Sequence, residues 1–455
     1  MRSSGPTVLR VYHAGGEPGH QQRDRALAAA GARVVLVVPG NWRITSRRGT
    51  GPTDAQASDA AQSGPELEVL GVEVSRPGDV NRHRHLETDR LAALIRRVRP
   101  DILDVHEEPV SVAMRQLLAL APAGLPVVGY TAQNLDKRFP PPYTQYERSA
   151  LGRLSGLYPC SKQAASVAWG KGFRGHVRVL PLGYDPDLFW SGDQGSSLGS
   201  PLLVLAGRLV PEKGVRDAVD VLAAIRQQVP ARLVLVGSGP EVESAIAQAR
   251  AAGLGDALTH RPWLGPAELA ELYRQAHVVL APSRSTTRWV EQFGRMVIEA
   301  QASGAVVCGY ATGALPEVGG PAAILVSDGN TEALAENITS VLTDANAWRE
   351  HSARGVTAAR TRTWESVAQD QIAFYQDVLR GPQRRSSAPP DAASRQEARE
   401  LYGRPASAPN LTRPFAIPVL RDLGPTQVKL GRLVDAVTEA ARWGRQRVRG
   451  TASDR

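Results

Sequence analysis

Two carboxylates with seven residues between them, Glu291 and Glu299 in WVEQFGRMVIEAQASG, are placed where side chains do chemistry. The loop RSTTRWVEQ leads into a helix whose pattern predicts a start around Phe293–Gly294, so Glu291 stands at the helix mouth and Glu299 lies inside it. A carboxylate at that mouth can accept hydrogen bonds from sugar hydroxyls, and one within the helix can accept two from vicinal hydroxyls, as on a ribose. The apolar setting MVIEA would bury Glu299, and a buried carboxylate needs partners. Gly294 has no side chain to cover the first N–H groups of the helix, which leaves them open to phosphate oxygens. Upstream, GRLVPEKGV puts Arg208 and Lys213 after an apolar strand and at the start of the next helix. Two cations beside a helix N-terminus form an anion site suited to a diphosphate. Gly237 and Gly239, in GSGPE after another strand, let backbone N–H groups approach a ligand, although a strand-to-helix turn wants glycine in any case.

Such residues need strands to present them. TVLRVYHA, ARVVLVVP, LEVLGVEV, DILDVHE, PVVGYTA, GLYPCS and HVRVLPLG read as short strands, separated by helical patterns such as HLETDRLAALIRRV and YTQYERSALGRL. A second series, PLLVLAG, ARLVLVG, ALTHR, HVVLAPS, AVVCGY and AAILV, alternates with helices over GVRDAVDVLAAIRQQV, PEVESAIAQARAAG, PAELAELYRQA and FGRMVIEAQASG. Strands apolar on both faces with helices between them predict two parallel, doubly wound sheets. Ligands then bind beyond the carboxyl ends of the strands, in the cleft between the sheets. The expected domains are 1–190, a linker at 191–200, 201–362, a helix over 363–380 and a tail over 381–455. Arg43–Pro65 reads as a polar inserted loop.

Charge and cysteine content exclude several classes. Of the net charge of +9, residues 381–455 carry +7, from 14 Lys+Arg against 7 Asp+Glu, so the near-neutral body has no need of a nucleic-acid partner. Cys160 and Cys308 are far apart and sit at strands, which predicts two buried thiols in a reducing compartment. The N-terminal apolar run is too short for a signal peptide and no run of apolar residues is long enough to span a bilayer, so a cytoplasmic location is expected.

GRLVPEKG, GSGPE, EQFGRMVIE and ALPEVGG occur in the order and spacing of the nucleotide-sugar-dependent retaining glycosyltransferases of family four, which have the two-Rossmann GT-B fold. The resemblance spans roughly residues 5–380 and is strongest across 200–330. It implies that Arg208 and Lys213 hold the donor diphosphate, Glu299 the nucleotide ribose and Glu291 the transferred sugar. Phe293 and Gly294 would offer backbone N–H groups, and Trp263 and Leu264 would sit near the base, with core packing as the other reading of Trp263. In the first half, His106 in DILDVHE looks like the family's strand-end histidine facing the donor sugar, and Gly15 and Gly16 like its glycine-rich loop over the diphosphate. The continuation EPGHQQRD departs from the common pattern and leaves His20 without an assigned role. QNLDKRFPPPYTQYERSALGRL resembles a bacterial subgroup in which Pro140–Pro142 would shape an acceptor loop. Asp185 and Asp187 imitate a metal-binding pair but lie in LGYDPDLF, a segment that members share without a metal role. The family uses no cofactor; the nucleoside-diphosphate sugar is a co-substrate.

The implied reaction passes through an oxocarbenium-like transition state, with charge on the departing diphosphate stabilised by Arg208, Lys213 and the Gly294 helix terminus in place of a metal. A phosphorylase or an epimerase shares such a cleft, and a non-catalytic nucleotide-sugar-binding subunit is a third reading. The epimerase lacks the paired glutamates, and a scaffold subunit would not need Arg208, Lys213 and Glu299 intact. In the tail, Val428–Val448 forms a basic amphipathic pattern with Leu430, Leu433, Val434 and Val437 on one face. It can pack on the body or lie on an anionic membrane surface, and the acceptor can be lipid-linked, a glycan or a small molecule.

Overall fold

Valine, isoleucine and leucine dominate the strands, and most strand residues are buried on both faces, which requires helices above and below each sheet. The computed structural model describes residues 5–42, 67–192, 200–381, 392–403 and 405. The sequence-predicted insertion at 43–65 and the amphipathic segment at 428–448 lie outside the described residues, as does all of the predicted linker but 191, 192 and 200.

The first domain contains strands β1 (Thr7–Val11), β2 (Arg33–Pro39), β3 (Leu67–Val72), the short antiparallel pair β4 (Val74–Ser75) and β5 (Arg84–His85), then β6 (Ile102–Val105), β7 (Val127–Thr131), β8 (Gly156–Pro159) and β9 (His176–Val177). Its helices are α1 (Gln22–Ala29), α2 (Thr88–Val98), α3 (Val112–Leu120), α4 (Tyr143–Arg153) and α5 (Lys162–Gly170). The second domain contains β10 (Leu202–Ala206), β11 (Arg232–Val236), β12 (Leu258–Arg261), β13 (Val278–Ala281), β14 (Val306–Tyr310) and β15 (Ile324–Val326). Between and after them run α6 (Val215–Ile225), α7 (Val242–Ala251), α8 (Pro266–Gln275), α9 (Arg295–Ala302), α10 (Leu315–Gly319), α11 (Thr331–Thr343) and α12 (Ala345–Ala359), followed by α13 (Trp364–Arg380) and α14 (Ala392–Tyr402).

The sheet orders are β3-β2-β1-β6-β7-β8-β9 and β12-β11-β10-β13-β14-β15, and within each sheet every neighbouring pair is parallel. In both, the order reverses beside the first strand of the domain, opening a crevice between β1 and β6 and another between β10 and β13. The loops carrying Gly15 and His106 leave the first crevice; those carrying Arg208 and Ser283 leave the second.

HVRVLPLG is a regular strand only over His176–Val177 at the sheet edge, although Arg178 N and Leu180 N still donate to Leu157 O and Pro159 O of β8. After α12 the chain crosses back: α13 packs on α1 and places Phe374, Tyr375 and Val378 in the first domain's core. Within the tail, residues 392–402 form α14, which lies on α5 with Ala398 buried and the Tyr402 ring 5.8 Å from that of Trp169. Cys160 and Cys308 are both free and buried. Among the described residues, no helix is long and apolar enough to cross a membrane.

Candidate active site

In the second domain the paired-glutamate loop is assembled around Glu291. The Lys213 Nζ lies 2.5 Å from Glu291 Oε2, Ser283 Oγ donates to the same oxygen at 2.9 Å, and the lysine rests over the Trp289 ring, 5.3 Å from its centroid. Lys213 reaches this point because Gly214 adopts φ +62° at the start of α6, where a Cβ would come within 2.0 Å of Pro282 O. The Glu291 backbone is held as firmly as its carboxylate. Its carbonyl accepts from Ala314 N at 2.9 Å and, across the domain boundary, from Asn134 Nδ2 at 2.8 Å. Gln292 Nε2 donates back to Ala132 O at 3.2 Å.

Gly294 is the residue before α9, in the left-handed region at φ +80°, and no side chain caps that helix. The helix therefore begins at Arg295, two residues past Phe293. Phe293 itself is buried in the domain core. Glu299 is buried, paired at 3.0 Å with Arg295 Nε, and burial pushes its carboxyl above the usual range against that guanidinium. Arg208 is exposed, and its guanidinium has no ion pair among the described residues, so it is available to an anion.

The glycines of GSGPE serve the protein's own backbone first. Gly237 N donates to Arg261 O at 2.9 Å, and a Cβ there would meet Gly207 O at 1.8 Å; at Gly239 it would meet Leu209 O at 2.1 Å. These glycines let the loops after β10 and β11 touch, and the Gly237 N–H is not free for a ligand. Trp263 is 62% exposed, which overturns the core-packing reading of that residue, while Leu264 is half-buried against the core. Asp185 accepts from Asp187 N at 3.0 Å in a local turn, and no acidic or histidine cluster suited to a metal occurs among the described residues.

Across the boundary, Gly15 is packed against Val38 with its carbonyl accepting from Gln21 Nε2 at 2.8 Å, whereas a Cβ on Gly16 would touch nothing closer than 3.9 Å. His20 stacks on Tyr12 at 6.3 Å, and its pKa is lowered by burial and by Arg295 of the other domain. His106 is buried between Tyr130, stacked at 4.0 Å, and Tyr12, edge-on at 4.4 Å. Burial, then the charges of Arg10 and Arg23, hold its imidazole well below the usual range. The loops of the two crevices thus meet along one boundary.

Sequence reasoning missed Ser283, Trp289, Asn134 and Arg10. Trp289 lies in the stretch already singled out, and Ser283 ends the strand pattern HVVLAPS just before its loop. Arg10 and Asp104 carry a visible signal, opposite charges in the middle of two apolar strands, TVLRV and DILDV.

Two family models cover most of the chain: "Glycosyltransferase Family 4" matches residues 24–188 and "Glycosyl transferases group 1" matches residues 188–362. The chain belongs to this family of glycosyltransferases and has its GT-B fold. A D-inositol 3-phosphate glycosyltransferase of Segniliparus rotundus is 33% identical over 222 residues, 45% of this chain and 48% of that protein. The chain thus spans about half the length of the curated relatives it matches. Among solved structures, a sucrose-phosphate synthase from Thermosynechococcus elongatus superposes with a TM-score of 0.63 at 18% identity, over 82% of this chain and 99% of the other. HepE from Anabaena in complex with UDP-glucose does so with a TM-score of 0.60 at 17% identity, over 82% and 99%.

Proposed function

We propose that the protein transfers a sugar from a nucleoside-diphosphate sugar to an acceptor hydroxyl, with retention of configuration and without a metal. The observation that carries this reading is the cluster at the second crevice: exposed Arg208, Lys213 held on Glu291, and the uncapped N-terminus of α9, which follows Glu291 closely in sequence. Charge accumulates on the diphosphate as the glycosidic bond breaks, and cations with backbone N–H groups fixed in advance stabilise it without reorganising. On donor binding Lys213 shares its charge between Glu291 and a phosphate oxygen, leaving the Glu291 carboxylate to accept from the sugar hydroxyls. Glu299 takes the ribose. His106, buried and neutral, supplies a polar contact from the opposite wall.

The UDP-glucose bound by HepE favours a uridine donor, and the relatives' name makes a phosphorylated polyol the first acceptor to try. Neither a phosphorylase nor an epimerase is favoured by any contact in the site. The test is a panel of UDP-, GDP- and ADP-sugars, read by thermal shift and by nucleoside diphosphate release once acceptors are added. A donor at 100 times its Kd stabilises the folded chain by about 2.7 kcal/mol. No shift and no release with any donor would overturn the proposal.

A further inference from the structure

We propose that Arg10 is a positioning residue for His106, holding its imidazole as the neutral tautomer with hydrogen on Nε2. His106 then meets a bound sugar as a hydrogen-bond donor and never as a base, a consequence that rests on the transferase reading above.

Arg10 lies in the middle of β1, in register with Asp104 of β6, and is 1% exposed. Each nitrogen of its guanidinium is engaged. Nε lies 2.7 Å from Asp24 Oδ1, a charge contact without hydrogen-bond alignment; Nη1 donates to Asp104 Oδ2 at 2.6 Å and to Tyr158 OH at 3.1 Å; Nη2 lies 2.9 Å from His106 Nδ1. A guanidinium has hydrogens to give, no lone pair to offer, and keeps its charge in proteins. Nδ1 must therefore be the acceptor, because a proton there would set N–H against N–H. A neutral imidazole has one N–H, which this leaves on Nε2.

Protonation of both nitrogens is opposed from every side. Arg10 and Arg23 add positive charge, as does His13 when protonated on Glu107, and the ring is buried between Tyr12 and Tyr130. The carboxylates nearby are committed elsewhere: Asp24 and Asp104 to Arg10, Glu107 to His13 at 2.7 Å. Tyr158, 3.0 Å from Nδ1, gives its own hydrogen to Asp104 Oδ1 at 2.5 Å. Asp104 also accepts from Tyr375 OH at 2.5 Å and Gln371 Nε2 at 3.1 Å, so α13 braces the carboxylate that braces Arg10.

The full-length chain labelled with ¹⁵N-histidine is followed by NMR from about pH 5 to about pH 8, across the usual histidine range. His106 is expected to show a bare Nδ1 and a protonated Nε2, unchanged throughout. Arg10→Met should release the tautomer, so that an Nδ1–H signal or a titration appears, and lower kcat about 10- to 100-fold, the loss expected for a misdirected buried hydrogen bond, with affinity for free nucleoside diphosphate unchanged. Arg10→Lys, which keeps a cationic donor group with no lone pair, should restore the pH-invariant spectrum and part of kcat. Arg10→Met strands two buried carboxylates and can fail to fold, so the wild-type spectrum decides alone: an Nδ1–H signal or a titration in that window overturns the proposal. A folded Arg10→Met protein whose His106 shows neither change also overturns it. The expected spectrum without turnover of any donor would support the tautomer and overturn the transferase reading.

Discussion

Replacing Gly313 by alanine should disable sugar transfer without replacing a group that contacts substrate. Gly313 follows β14 at φ +52°, and a Cβ on it would lie 2.1 Å from Glu291 O and 2.8 Å from Glu291 N. Real Cβ contacts essentially never fall under 3.0 Å, so the Glu291 backbone must retreat by about 1 Å in an interior that packs without slack. That movement takes the carbonyl from Asn134 and Ala314 and the carboxylate from Lys213 and Ser283. The left-handed conformation costs alanine about 1–2 kcal/mol, and a misplacement of about 1 Å at a reacting group costs about 10²-fold in rate. The assay is the initial rate of nucleoside diphosphate release, with calorimetry on the free nucleotide as a check that Arg208 and Glu299 still bind. Gly124→Ala is the control, since Gly124 has φ +88° and nothing within 4 Å of its added Cβ. It should lose stability alone. Turnover of Gly313→Ala within about twofold of wild type, or an equal rate loss in Gly124→Ala, would refute the reasoning.

Arg208→Ala and Lys213→Ala should each lower kcat/KM by an amount corresponding to about 2–4 kcal/mol, with exposed Arg208 leaving the Tm unchanged; normal turnover in both would remove the diphosphate site. Glu299→Ala should weaken binding of the free nucleoside diphosphate, whereas Glu291→Ala should spare that binding and lose transfer; calorimetry separates them, and equal losses of affinity contradict the assignment. His85 is buried with neither ring nitrogen hydrogen-bonded among the described residues, and burial, then His83, push its pKa down from 6.5 to about 4. Its folded pKa being depressed, the unfolded chain binds the extra proton. Stability is therefore full above about pH 6.5 and lost towards about pH 4, by about 3 kcal/mol. His85→Phe should flatten urea midpoints measured across that window; an unchanged slope would show that His85 does not titrate as stated.

Most of the sheet framework was legible because strands buried on both faces leave long apolar words with glycine-rich punctuation. The second crevice was legible for a related reason: Arg208, Lys213, Glu291 and Glu299 are polar residues at the ends of such words, within one domain and close in sequence. What escaped was non-local. Asn134 matters through a hydrogen bond to a residue 157 positions away, and Arg10 through a partner strand 94 positions on. The helix at 392–402 follows a proline- and serine-rich stretch and buries Ala398 against α5 among charged and exposed neighbours, too weak a periodic signal to read. Gly237 and Gly239 were read as ligand contacts because sequence shows a loop's composition and not the second loop pressed against it.

The return of α13 sets a timetable for synthesis. Gly156 in β8 is glycine because a Cβ there would meet Phe374 Cζ at 2.6 Å and Val378 Cγ2 at 2.8 Å, so the first sheet is shaped for a helix made much later. At about 5–20 residues per second, the ribosome takes about 10–40 s to travel from β9 to the end of that helix. Throughout that interval the part of the first sheet that α13 covers, beside α1, stays open and Asp104 lacks two of its donors, while the entire second domain can fold. The nascent chain therefore completes its later domain before its earlier one. Stalled chains ending near residue 200 should be open to protease in β8, and those extended past residue 381 by a tunnel's length should not.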